Sequence, residues 1–313
     1  MRHMKRLLVL LCIGMLGAGN AWATPIGYAA RNVIPAEIQQ LIVVDYRTIN
    51  NSPSAKALKE KVLPQPLKNF EASLAKAGIS PTNDVEQLIF ATYRTDEGLR
   101  GIGVAQGNFP AKELTARMTK QKNKGSKYAG NTIYPMGDGL SITLLDDSTM
   151  LFGDTAAIKR SLDIREGKGK SMTTNSEIMD LMSQVETESV WSVLDTHGTQ
   201  TMLKSALGEA ANLADYSLVK NRLKGSRYTV KFERGLDFDL NVLTSDSITA
   251  ASLSSLVKAG VLFRKTTASE SEKMALESLD VRADSRNLRL QFKADDSKFQ
   301  ALLNSELFAA VSR

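Results

Sequence analysis

The stretch RYTVKFERGLDFDLNVL, residues 227–243, is the most legible part of the chain. Tyr228, Val230 and Phe232 alternate with Arg227, Thr229, Lys231 and Glu233, and then Leu236, Phe238, Leu240 and Val242 alternate with Asp237, Asp239 and Asn241. Successive side chains of a strand point to opposite faces, so each segment is a strand with one apolar and one polar face. Two such strands around Arg234-Gly235 make an antiparallel hairpin in a sheet that is dry on one side and wet on the other. Parity is kept if Glu233 faces Asp237 across a three-residue loop with Gly235 at positive φ. That register sets Phe232 against Phe238 in the core and Lys231 against Asp239 on the wet face.

Downstream, Asp246 is placed to cap a helix running through Val257. A second strand pair covers Ser278 to Asp284 and Arg289 to Ala294, and a C-terminal helix carries Phe299, Leu302 and Leu303. Parity lets Arg282 face Arg289 or Gln291. Like charges directly opposite are unfavourable, so Gln291 is expected, with Asp284 against Arg289 and Asp280 against Lys293. Upstream, Val190-Trp191-Ser192-Val193-Leu194-Asp195 reads as a strand ending in Asp, followed by a long helix from about Thr199 to Lys220.

The first half follows the same order. Leu41-Ile42-Val43-Val44-Asp45 is a continuous apolar run of the kind buried on both faces, and it too ends in Asp. Ser52-Pro53 supplies an N-cap and a proline at the first helical position. The helix breaks around Pro64 and Pro66 and resumes through Leu67, Phe70 and Leu74 to a Gly78 C-cap. Strands follow at Gln87 to Arg94 and Leu99 to Gln106, a helix from Pro110 through Met118, and three short strands near Thr132 to Tyr134, Ser141 to Leu145 and Met150 to Phe152. Helices at Thr155 to Ile164 and Glu177 to Val185 complete the half. The predicted fold is therefore α+β: two ferredoxin-like (split βαβ) repeats with added strands, a mainly antiparallel sheet and helices on one face. The expected division is a signal peptide at 1–23, a first repeat at 24–186 and a second at 187–313.

With 42% apolar and 24% charged residues in 313, the chain can bury a core and need not be disordered. Arg2, Lys5 and Arg6, the apolar run Leu7 to Leu16 and the small-x-small site Ala21-Trp22-Ala23 are the three parts of a cleavable secretory signal. The run is too short to span a bilayer, and Leu11 before Cys12 disfavours a lipid anchor. The protein is thus expected to be exported, periplasmic or secreted after cleavage near Ala23, with no membrane span in the mature chain. Losing Arg2, Lys5 and Arg6 leaves 37 basic against 34 acidic residues, a net charge of +3. A nucleic-acid partner is not implied by so small an excess. Cleavage also removes the only cysteine and leaves His197 as the one histidine. Thiolate nucleophiles, iron–sulfur clusters and Cys/His zinc sites are excluded, no disulfide can form, and no metal or cofactor is expected.

Several stretches resemble an uncharacterised family of exported bacterial proteins: Ile34-Pro35-Ala36 leading to Val43-Val44-Asp45-Tyr46-Arg47, then Asn51-Ser52-Pro53, Gly103-Val104-Ala105-Gln106-Gly107, Tyr134-Pro135-Met136, Trp191-Ser192-Val193-Leu194-Asp195 and Gly198-Thr199-Gln200-Thr201-Met202. The resemblance covers nearly all of the mature chain. It implies export and a single full-length architecture, and it transfers no activity or site residue.

Few groups offer chemistry. Asp195-Thr196-His197 sets a carboxylate two residues from the histidine, with Thr199 and Thr201 near, which is the material of a nucleophilic triad if the three converge. Against that, Asp45 holds the equivalent strand end without a histidine, which points to an Asp serving the strand-to-helix turn. Ser217/Lys220 and Ser255/Lys258 have the Ser-x-x-Lys spacing of serine acyltransferases without the companion motifs, and are read as chance. Gly101-Ile102-Gly103 lies inside a strand pattern and is read as a place for close helix packing. Asp146-Asp147 and Asp295-Asp296 read as turn and helix cap. Arg117, Lys120, Lys122, Lys124 and Lys127 form the densest basic run, which could hold an anionic envelope polymer or be a solvated helix end. The leading reading is an exported non-enzymatic binding or structural protein of the bacterial cell envelope, which as a binder would meet an envelope partner or ligand through a sheet face or the cleft between the two halves. The alternatives are a carboxylate- or His-dependent hydrolase and an anionic-polymer binder through residues 117–127.

Overall fold

The computed structural model describes residues 25–62, 65–120, 124–207, 216–232 and 235–303. The expected signal peptide, Lys122 and the Glu233-Arg234 loop lie outside these. In chain order the elements are α1 (Tyr28–Arg31), β1 (Ile38–Asp45), α2 (Tyr46–Asn51), α3 (Pro53–Val62), α4 (Gln65–Ala77), α5 (Pro81–Asp84), β2 (Val85–Thr95), β3 (Gly98–Gly107), α6 (Ala111–Lys120), β4 (Ser126–Tyr128), β5 (Asn131–Gly137), β6 (Leu140–Leu144), β7 (Thr149–Gly153), α7 (Thr155–Arg165) and α8 (Ser176–Met182). The second half adds β8 (Val190–Leu194), α9 (Thr196–Leu207), α10 (Tyr216–Lys220), β9 (Leu223–Lys231), β10 (Leu236–Thr244), α11 (Ser247–Thr267), α12 (Glu270–Glu277), β11 (Leu279–Asp284), β12 (Asn287–Ala294) and α13 (Asp296–Leu303). The fold is α+β.

The twelve strands among the described residues join one sheet in the order β11-β12-β10-β9-β8-β1-β2-β3-β7-β6-β5-β4. Every neighbouring pair is antiparallel. The first strands of the two halves, β1 and β8, lie side by side at the centre, with Val43 opposite Trp191. From that seam each half steps outward through its second and third strands, and then folds its last strand in beside the third. This is not the ferredoxin-like connection. A split βαβ unit inserts its third strand between the first and the second, antiparallel to both, whereas here β1 pairs directly with β2 and β8 with β9, which leaves the third strand outside the second.

Helices cover both faces of the first half, which corrects the one-face expectation. On one side α1, α7 and α8 pack Ala30, Ile158, Leu162 and Ile178 against Leu41, Val43, Ile89, Val104 and Trp191. On the other, α4 and α6 pack Leu74, Leu114 and Met118 against Ala105, Met150 and Phe152. Among the described residues the second half is covered mainly on one face: α9, α10 and α11 bring Leu203, Val219, Leu253 and Val257 onto Leu240, Val242, Val281 and Leu288. Its opposite face is a ladder of Arg227, Thr229, Lys231, Asp237, Asp239, Asn241, Arg289, Gln291 and Lys293, because those residues sit opposite one another in register.

The helix starts follow their sequence signals. The hydroxyl of Ser52 accepts the Ala55 N–H at 3.2 Å, and Asp246 accepts the Thr249 N–H at 2.8 Å. The Asp246-capped helix runs ten residues past Val257, to Thr267, and a further helix, α12, opens with a capping box of Ser269 and Glu272. The helix expected from Thr199 to Lys220 is described only as α9 and α10, with residues 208–215 outside the described residues.

Both hairpin registers differ from expectation. Lys231 faces Asp237 and Val230 faces Phe238, two residues out from the predicted pairing although every side chain keeps its face. Phe232 and Leu236 leave the hairpin core to pack on Phe299 and Phe292. Gly235 (φ +107°) lies so close to Ala294 O that a Cβ there would stand 2.1 Å away, which seats the turn against the end of β12. In the last hairpin, Arg282 faces Arg289 and not Gln291, because a two-residue turn at Ser285-Arg286, with Ser285 at φ 53°, closes on Asp284 and Asn287. The like charges are relieved locally: Arg282 pairs with Asp280 on its own strand at 2.6 Å, and Arg289 Nε donates to Asp239 on β10 at 3.1 Å. Lys293 meets Asp237 at 2.7 Å in place of the expected Asp280.

Candidate functional site

On the face carrying α4 and α6, an apolar crevice enters the first half. Leu74, Pro81, Val85, Leu88, Phe90, Ala105, Met150 and Phe152 form its walls, and Tyr46 and Glu71 stand at its edge. The space between these residues, counted out to its open mouth, is about 440 Å³. The strands supply this lining because β2 and β7 carry apolar side chains at both parities, so Leu88, Phe90, Met150 and Phe152 face away from the α7 side.

Gly103 makes the back wall possible. It sits opposite Phe152 in the β3–β7 pairing, and a Cβ on it would meet the Phe152 ring at 2.2 Å. The ring therefore lies across the bare backbone and meets Phe90 edge-on, with centroids 5.7 Å apart and planes at 85°. The close approach that Gly103 was expected to serve is thus to a ring from the neighbouring strand, not to a helix. Gly101 has no atom within 4 Å of where its Cβ would be.

The polar groups at the rim form one cluster. Tyr46, the first residue of α2, donates its hydroxyl to Glu71 at 3.0 Å and accepts from Lys59, while Lys59 Nζ stands 2.7 Å from Glu71 and 4.8 Å from the centre of the Tyr46 ring. Burial raises the Tyr46 phenol above its ordinary range. Burial also opposes the Lys59 charge, but the hydrogen bonds to Glu71 and Tyr46 outweigh it, so the ammonium is held above its ordinary value. The rim thus presents a phenol held between the Lys59 ammonium and the Glu71 side chain, beside an apolar depth. None of these three was a candidate in the sequence. Only Tyr46 had a nearby signal, as the residue after the strand-end Asp45.

The residues singled out from sequence lie elsewhere. Asp195 Oδ1 accepts the Gly198 N–H at 2.7 Å, and Oδ2 accepts from Arg94 of β2 at 2.6 Å. Asp45 likewise accepts the Arg47 N–H at 3.0 Å. Thr199 is buried and shares a hydrogen bond with Ser226 at 2.8 Å, and Thr201 donates to His197 O. The His197 side chain is exposed, so these residues do not form a base–nucleophile pair. Arg117, Lys120, Lys124 and Lys127 are all exposed, Arg117 and Lys120 on α6 and Lys127 on β4, with Arg117 lying over Gly78 at the end of α4. The Ser-x-x-Lys pairs are exposed on α10 and α11. Asp147 accepts the Ala111 N–H that opens α6, and Asp295 accepts the Lys298 N–H that opens α13. Among the described residues, no cluster of three His, Cys, Asp or Glu side chains has the geometry to hold a metal, and no helix is long and apolar enough to cross a membrane.

No family model and no curated protein matches the chain. Among solved structures it is similar to TP0453. Crystal form I of that protein aligns over 91% of this chain and 99% of that one with a TM-score of 0.53 at 8% sequence identity, and crystal form III aligns over 91% and 100% with a TM-score of 0.49 at 7% identity. At that identity the likeness to crystal form I is one of fold, reached by a different sequence.

Proposed function

We propose that this chain is an exported, non-enzymatic binding protein of the cell envelope, and that its partner seats a small apolar group in the crevice beside Tyr46, Lys59 and Glu71. The observation that carries the reading is the contrast within that site: walls built almost wholly of apolar side chains, and one hydrogen-bonded cluster at the rim to orient what enters. A concave apolar depth with a few convergent polar groups is the arrangement from which anchoring contacts are made. Export rests on the signal-like residues 1–23. The poverty of catalytic side chains, with His197 exposed and Asp195 engaged as a helix cap, supports binding over turnover.

The test is a photo-crosslinking residue at Leu88, at the crevice, compared with one at Thr229 on the open face of the second half, in cells, followed by mass spectrometry. Capture of a defined species from Leu88 alone, lost when Ala105→Trp fills the depth, is the expected result. The reading is overturned if neither position captures anything specific while a screen of esters, glycosides and peptides finds turnover that His197→Ala abolishes. It is also overturned if capture depends on Lys124 and Lys127 and vanishes with salt, as a polyanion site would.

A further inference from the structure

The two ends of the sheet are finished differently. At one end β4 is three residues long, carries the exposed Lys127 and runs directly into a turn with Ala129 at φ 45°, all features that discourage further pairing. At the other end β11 is six residues, Leu279-Asp280-Val281-Arg282-Ala283-Asp284, regular along its whole pairing with β12, and without proline, lysine or bulge. Its outer side has no strand among the described residues.

The direction of its free backbone groups follows from the register. Thr244 N–H bonds to Arg286 O, so in β12 the even-numbered residues bond to β10 and the odd-numbered ones to β11. Asn287, Arg289 and Gln291 therefore engage Asp284, Arg282 and Asp280. The N–H and C=O groups of Leu279, Val281 and Ala283 are left pointing outward. A strand added to this edge must match those groups and keep apolar side chains on the helix side.

We propose that β11 joins β11 of a second copy of this chain, antiparallel, about a two-fold axis through Val281. A two-fold perpendicular to the sheet pairs residues of equal parity, which allows three central registers. Centring on Asp280 sets two aspartates face to face, and centring on Arg282 sets two arginines face to face and Asp280 against Asp284. Centring on Val281 pairs Val281 with itself and Leu279 with Ala283 on the helix side, and Asp280 with Arg282 twice on the wet side. Only this register places opposite charges across the axis, and it engages all six outward-facing residues of the two edges. Arg282 and Asp280, paired with each other within the single strand, have side chains 73% and 42% exposed, so each can exchange that partner for its mate across the axis.

Cysteine crosslinking tests the register, because replacing Cys12 with Ser leaves no background thiol. A residue facing itself across a hydrogen-bonded pair has its Cα atoms about 5.5 Å apart, within disulfide range. In the full chain carrying Cys12→Ser, Val281→Cys is expected to form a disulfide dimer on mild oxidation, while Asp280→Cys and Arg282→Cys stay monomeric. Sedimentation equilibrium gives a readout that does not depend on the buried Val281. Ala283→Pro removes one outward N–H and is expected to abolish a dimer formed by the parent chain. Arg282→Asp is expected to weaken it roughly tenfold, and the exchange Asp280→Arg/Arg282→Asp to restore it. A parent chain that stays monomeric up to hundreds of micromolar, crosslinking at 280 or 282 in place of 281, or a dimer indifferent to Ala283→Pro would each overturn the proposal.

Discussion

Strands β2, β3 and β7 bury side chains on both faces, whereas β9, β10 and β12 bury them on one, although all six belong to the same sheet. The difference is written in the local pattern. Thr149–Gly153 reads TMLFG and is buried throughout, while Leu236–Thr244 reads LDFDLNVLT and buries mainly its even-numbered positions. A continuous apolar run leaves no face that water would favour, so helices are drawn to both sides; strict alternation lets one side stay in water. The crevice forms in the doubly covered half, on the sheet face that α4 and α6 cover there and that α9, α10 and α11 cover in the second half, since Phe90, Ile42, Ser192, Tyr228 and Leu240 pair across it. The open face continues the α7 side, with Thr229 beside Trp191.

Changes matched across the two halves sharpen that contrast. Leu151→Ala, on the doubly covered side at 0% exposure, is expected to cost about 2–5 kcal/mol in urea unfolding, and Thr229→Ala on the open face less than about 0.5 kcal/mol. Equal costs would mean that the two faces are not different environments. Next in size, Gly103→Ala should cost about 1–3 kcal/mol because its Cβ strikes the Phe152 ring, with much of the loss recovered in combination with Phe152→Leu. Gly101→Ala, two residues along the same strand and meeting nothing, is the control and should change little.

On the open face, Asp239 receives hydrogen bonds from Arg289 and Gln291. Asp239→Ala is expected to cost about 0–1 kcal/mol, less in high salt, since a cluster at the surface is screened. A loss that salt does not alter would argue for a drier face than the register implies.

The smallest effect is a pH dependence in the singly covered half. Hydrogen bonds from the Ser245 hydroxyl and then from the Thr249 N–H hold the Asp246 carboxyl down to about 2, against an ordinary 3.8. A carboxyl depressed in the folded state contributes stability that is fully present above 3.8 and is lost as pH falls through 2. Wild type should therefore lose more stability between pH 4 and 2 than Asp246→Asn does, whose side chain still caps the helix but has no charge to lose. Parallel acid limbs for the two proteins would remove Asp246 as the cause.

Much of the architecture was legible from residue order. The strand-end aspartates, the Ser52 and Asp246 caps and the side-chain faces of β9 and β10 are encoded within a few neighbouring residues, so period and capping chemistry suffice to read them. The registers were not, because pairing depends on how a turn closes and on what else a charge can reach. Arg282 tolerates Arg289 because Asp280 and Asp239 stand close, and Asp239 arrives from another strand. The candidate site was not legible either, since Tyr46, Lys59 and Glu71 come from three helices and no spacing in the chain announces that they meet.

The sequence by itself determined that the chain would build a mainly antiparallel α+β fold without disulfides, and that one of its sheet faces would be wet, since these follow from composition and from patterns of period two. Only the tertiary structure decided that the two halves share one sheet through β1 and β8, that helices cover both faces of the first half, and that a crevice opens beneath Tyr46. Those outcomes rest on contacts between residues far apart in the chain, whose free energy depends on shape and mutual burial, and periodicity does not encode either.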